Sequence, residues 1–191
     1  MSDGFHVHGP HDHELEHAAQ GAHGVDSFSG RIAVMTAIMA TIGALFGFQG
    51  GDTQNQAAMY KNNAAIKKTE ASNQWNYYQA KSNKQNLSEL AIALPGVDPT
   101  RYRAEVERYK LEKEGIKKDA EKLEAASLDW DKKSEAAMHE HHRWALATTA
   151  EQIGISLAAI TLLTRKKWLL LGSYGVAAVG AAIGVAAYLH Y

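Results

Sequence analysis

The 191-residue chain contains no cysteine. That excludes disulfides, thiolate nucleophiles and Cys-rich zinc centres, and it fixes no compartment. Proline occurs only three times, and two of the three, Pro95 and Pro99, fall in one short stretch. The first thirty residues hold no Lys or Arg. The positive start of a secretory signal is therefore missing, and the first apolar stretch is expected to stay uncleaved. Charge of one sign is also lacking overall. The formal net charge is −1, which gives no footprint for nucleic acid, and no nucleic-acid partner is expected. Gly-rich phosphate loops, nucleophile elbows and paired catalytic carboxylates do not occur. No catalytic residue is assigned, and the chain is not expected to be an enzyme.

What is present is strongly segregated. Residues 1–30 carry six of the ten histidines, His6, His8, His11, His13, His17 and His23, among acidic residues and glycines. Apolar residues are sparse there, so the tail is expected to be disordered. Three nearly uncharged apolar stretches follow, separated by polar sequence. Residues 32–48 lack charge over seventeen positions behind Arg31, which is just enough to cross a bilayer as a helix. Residues 31–49 are read as the first transmembrane helix, with Gly50-Gly51-Asp52 marking its exit. Residues 144–164 are the second candidate, strongly apolar from Ile153 to Leu163. Residues 168–189 are the third, with Trp168 and Tyr188 placed for the aromatic belts of the two interfaces. Gly43 and Gly47, and likewise Gly180 and Gly184, are small-residue pairs that let another helix approach closely.

Between the first two spans, residues 50–143 read as a helical hairpin. Its turn at 95–99 comes from Pro95, Gly96 and Pro99, which cannot continue a helix. The two arms, residues 52–94 and 99–143, have 43 and 45 residues; at about 1.5 Å per residue each would extend roughly 65 Å. Equal arms return the chain to the membrane it left. Residues seven apart form a ladder on each arm: Met59, Ile66, Asn73, Ala80, Leu87 and Leu94 before the turn, and Tyr102, Tyr109, Ile116, Leu123, Trp130, Ala137 and Trp144 after it. A second rung, Val106, Ala120, Ser127, Ser134 and His141 among it, accompanies the later ladder. Alternating three-four spacing keeps one narrow stripe toward a partner helix. Asn, Lys, Ser and Glu interrupt the stripe, so help from a membrane or from other copies is expected. Trp75, Tyr77 and Tyr78 read as a plug against the second arm in preference to a contact between protomers. The fold class is thus all-α: an integral membrane protein with three transmembrane helices and a long antiparallel, coiled-coil-like hairpin between the first and second.

Three constellations carry chemistry. In the tail, His6, His8, His11, His13 and His17 include a His13-x-x-x-His17 pair on one helical face, suited to Zn²⁺, Ni²⁺ or Cu²⁺. Flexible His-rich tails also bind metals without a role. Beside the second span, His139 and His142, with Glu135 one turn earlier, form either part of a metal site or a polar membrane-interface cap, and the cap is the better reading. Inside the second span, Thr148, Glu151, Gln152 and Ser156 are a candidate polar lining. Glu151 is open to two readings. It is a functional carboxyl within the membrane, or an acidic residue favoured near a helix start.

The runs His6-Val7-His8-Gly9-Pro10-His11-Asp12-His13-Glu14, Lys67-Lys68-Thr69-Glu70-Ala71-Ser72 and Tyr78-Gln79-Ala80-Lys81-Ser82 resemble a family of bacterial membrane proteins known as a domain of unknown function, DUF4337-like. The resemblance covers most of the chain. It implies the bacterial inner membrane and no activity, and it carries over no functional residue. The short Arg165-Lys166-Lys167 loop is expected in the cytoplasm. Three spans then put the tail there too, and the hairpin in the periplasm. The expected partners are the lipid bilayer and further copies of the chain. The first functional expectation is a homo-oligomeric scaffold; the alternative is an oligomeric ion or metal-responsive channel or transporter.

Overall fold

A computed structural model describes residues 27–189. Among them the chain is all-helical: α1 spans Ser27–Ile92, α2 spans Pro99–Thr164 and α3 spans Lys167–Tyr188. Each contains a stretch long and apolar enough to cross a membrane. The chain divides into two units. Unit 1 is built from residues up to Gly47 and from Trp144 onward; unit 2 is Phe48–Arg143.

Unit 2 is an antiparallel hairpin of α1 and α2. The turn lies where Pro95 and Gly96 stop α1. Gly96 takes φ +83°, a backbone conformation that side chains resist and glycine adopts freely. Pro99 opens α2, in the first turn where a missing N–H costs nothing. Asp98, just before it, accepts the backbone N–H of Thr100 at 2.9 Å. That bond holds the exposed Asp98 carboxyl below its ordinary value. Its contribution to the turn is therefore complete above the free carboxylate range and fades as pH falls through the lowered value.

The seam between the arms is built on small residues. Ala57, Ala64 and Ala71 of α1 are buried, and they stand seven apart. Opposite them, α2 buries Val106, Ile116, Ala120, Ser134 and Ala137. Ala71 and Ala120 are 2% and 0% exposed. Three polar side chains of α2, also seven apart, reach across to backbone carbonyls of α1. Ser127 Oγ donates to Ala64 O at 2.9 Å and Ser134 Oγ to Ala57 O at 2.8 Å. His141 Nδ1 lies 2.8 Å from Gly50 O. Partner numbers rise on one helix as they fall on the other, which fixes both the antiparallel sense and the register. Such bonds need close backbones, and only a stripe of glycine and alanine on α1 provides them.

The second-arm ladder faces inward: Ile116 and Ala137 are buried, and Tyr102, Tyr109, Leu123 and Trp130 are half-buried. The first-arm ladder does not. Met59, Ile66 and Leu87 are 61%, 46% and 65% exposed, and Asn73 and Ala80 are exposed too. The true seam lies two residues earlier, on the alanines. Large apolar side chains at Met59 and Ile66 would hold the helices apart and break the serine contacts, so they turn outward. Trp75 donates its indole N–H to Glu124 at 2.8 Å and meets Tyr78 edge-on at 5.7 Å. Trp75 of the aromatic cluster thus meets the second arm, while Tyr77 is left exposed. Lys81 and Glu112 pair across the seam, with the Lys81 ammonium 5.2 Å from the Tyr77 ring and 5.6 Å from the Tyr109 ring.

Unit 1 packs the amino-terminal part of α1, the end of α2 and α3 around Ile32, Met35, Met39 and Ala158. Between α2 and α3 the chain turns in two residues. Arg165 takes φ 55° there, and its N–H still bonds Thr161 O at 2.8 Å. Ser173 is fully buried and donates to Gly154 O at 2.7 Å, tying α3 to α2.

Candidate functional site

The helices do not break where the apolar stretches end. α1 runs through Gly50, Gly51 and Asp52 without interruption, and α2 begins at Pro99. Glu151 therefore sits deep inside a 66-residue helix. No helix start lies nearby to favour its charge, so the helix-dipole reading of Glu151 is withdrawn.

Glu151 instead points into unit 1. It is 1% exposed, and its Oε2 has no hydrogen-bond partner among the described residues. Small residues of both neighbouring helices make room for it. A methyl group added at Gly43 of α1 would stand 3.4 Å from Glu151 Cβ, and one at Gly180 of α3 would stand 3.1 Å from Glu151 Oε1. Gly47 faces the Thr148 methyl group, and Gly184 lies against the Phe46 ring, which itself meets Trp144 at 5.6 Å. All four glycines thus stand at contacts between helices of one chain. An unpaired buried carboxylate costs several kcal/mol on the order of a buried ion. The site therefore calls for a proton, a cation or a donor from outside the described residues.

The other residues of the proposed lining do not join Glu151. Thr148 is half-buried, and its hydroxyl bonds Trp144 O on its own helix at 2.9 Å. Gln152 and Ser156 are exposed, and the Ser156 hydroxyl bonds Gln152 O at 2.9 Å. A pore between copies would draw on Gln152 and Ser156 without the Glu151 carboxyl.

Glu151 also lines a cleft of about 920 Å³ between α1 and α3. Its walls are almost wholly apolar: Val34, Ile38 and Ile42 from α1 and Ala178 from α3, with Tyr174 to one side. Arg31 is the one basic residue in its lining. Arg31 and Gly43 are twelve residues apart on α1, or roughly 18 Å along the axis. Arg31 is too distant to neutralise a carboxyl packed on Gly43.

No three His, Asp or Glu side chains come together as a metal-ligand set among the described residues. His139 and His142 are exposed, as is Glu135. The His142 ring lies 5.8 Å from that of His141, and His141 is engaged with Gly50 O. The tail histidines His6, His8, His11, His13 and His17 lie outside the described residues. So does a run whose zinc-peptidase pattern the reading of those histidines as separate pairs held to be absent, which the sequence itself contradicts. His13-Glu14-Leu15-Glu16-His17 has the His-Glu-x-x-His spacing of zinc peptidases. Spacing alone would give two of the three protein ligands a catalytic zinc needs.

Among the described residues, fold and site together define an all-helical architecture in which a long hairpin is combined with an apolar three-helix unit around the buried Glu151 carboxyl. The chain belongs to the family described as Domain of unknown function (DUF4337), whose model matches residues 28–190. No curated protein and no solved structure matches it.

Proposed function

We propose that the chain is a non-enzymatic, multi-pass protein of the bacterial inner membrane that assembles with copies of itself into a scaffold. Unit 1 lies in the bilayer, the hairpin in the periplasm, and the tail with the Arg165–Lys167 turn in the cytoplasm. The observation that carries this reading is uncovered apolar surface. In the most apolar eighteen-residue window of α1, α2 and α3, only 17%, 28% and 22% of the residues are buried. Leu163, Trp168 and Leu171 of unit 1 stand exposed. Each square ångström of such surface costs about 25 cal/mol in water. A hydrocarbon surround removes that cost, and continuous helices satisfy their own backbone there.

Assembly follows from the hairpin. Met59, Ile66 and Leu87 form an apolar row on the outer face of α1, at multiples of seven. Leu111 and Leu128 stand exposed on α2. Heptad spacing on an outer face suits a second hairpin.

Because the chain lacks cysteine, single cysteines report topology without background. Gly115→Cys in the hairpin is expected to react with a membrane-impermeant maleimide in spheroplasts, and Lys166→Cys only after permeabilisation. The opposite pattern would invert the orientation. Equal labelling of both positions in intact spheroplasts would end the membrane-embedded reading.

A further inference from the structure

We propose that the cleft between α1 and α3 binds a hydrophobic monovalent cation, with its charge against Glu151 and its apolar body along Val34, Ile38 and Ala178. Glu151 is nine-tenths buried and more, its Oε2 is unpartnered, and it stands at the inner wall of the cleft. For the ionised carboxyl the charge it asks for is positive, because a carboxylate only accepts. The body it asks for is apolar, because the walls offer methyl and methylene groups with few hydrogen-bonding groups. A hydrated metal ion would lose its water shell there and find one carboxylate in exchange. A lipophilic cation carries little hydration to lose and covers apolar wall at the same time. Tyr174 adds an aromatic ring to that wall, a surface that attracts cations. The other charged group of the lining, Arg31, is remote along α1 and repels a cation toward the Glu151 end. This inference goes beyond the scaffold reading. It rests on the geometry of unit 1 alone and stands whether or not the chains assemble.

The test is equilibrium dialysis of the full-length protein in detergent against radiolabelled tetraphenylphosphonium. Saturable binding is expected, weakened about tenfold or more by Glu151→Gln, which removes a charge-assisted contact while keeping the side-chain size. Ala178→Trp, which fills the cleft and leaves Glu151 in place, is expected to weaken it as well. Tetraphenylborate, of the same shape and opposite charge, is expected not to compete. Equal binding of the cation by wild type and Glu151→Gln would overturn the proposal. So would equal competition by tetraphenylborate, which would return the cleft to a lipid chain or a second copy. Should Glu151→Gln fail to fold, undiminished binding by Ala178→Trp would overturn it too.

Discussion

Replacing Ala71 by leucine will destabilise the hairpin by about 3 kcal/mol, the upper range for forcing methylenes into a packed seam. Ala71 is 2% exposed in the alanine stripe that also includes Ala57 and Ala64. The added side chain has nowhere to go unless α1 and α2 part. Parting them lengthens the Ser127 and Ser134 bonds one and two heptads away, so the loss spreads along the seam. Ile66→Ala is the matched control. Ile66 is larger and more hydrophobic, yet it is 46% exposed, and its loss should stay within about 0.5 kcal/mol for the single chain. Urea unfolding of the full-length protein, followed by helical circular dichroism, makes the comparison. If Ile66→Ala proved the more damaging change under monomeric conditions, the seam would lie where the large side chains are, and the register described above would be wrong.

Gly180→Leu should be comparably damaging to unit 1. A Cβ at this position would lie 3.0 Å from Ala150 Cβ, 3.1 Å from Glu151 Oε1 and 3.2 Å from Ala147 O. The first and last of these belong to atoms that cannot swing aside. The helices must separate, at a cost of about 3 kcal/mol, while dispersion contacts around Gly43 and Glu151 are lost as well. Gly175→Leu changes the same residue type on the same helix, but its Cβ would meet nothing within 4 Å. Unfolding by SDS in mixed micelles, read by the fluorescence of buried Trp144, should therefore shift strongly for Gly180→Leu and scarcely for Gly175→Leu. Equal midpoints would mean that α3 does not close on α2 as described.

These two substitutions also mark what the sequence makes legible and what it hides. The turn is plain, because Pro95, Gly96 and Pro99 stop helices by covalent geometry alone. The second arm is plain as well, since Ile116, Trp130 and Ala137 repeat at heptad spacing and all face inward. The first arm misleads. Met59, Ile66 and Leu87 carry the obvious heptad signal, but burial there is decided by how close two backbones must come, and size counts against a residue. The informative signal was the quieter series Gly50, Ala57, Ala64 and Ala71, matched in spacing to Ser127, Ser134 and His141. Glu151 was ambiguous for a related reason. Its environment depends on residues far away in sequence, and Gly43 and Gly180 reveal it only when the three helices are assembled. The tail offered composition and spacing without a partner surface, so its histidines stay at the level of a pattern.

The central claim is that apolar surface left uncovered on one chain is covered by lipid in unit 1 and by further copies along the hairpin. The mass of the protein in mild detergent, measured by light scattering after size exclusion over a range of concentrations, tests it most directly. The account predicts a particle containing several chains, shifted toward the single chain when Met59, Ile66 and Leu87 are replaced together by serine. A particle that is strictly monomeric at every concentration would contradict it.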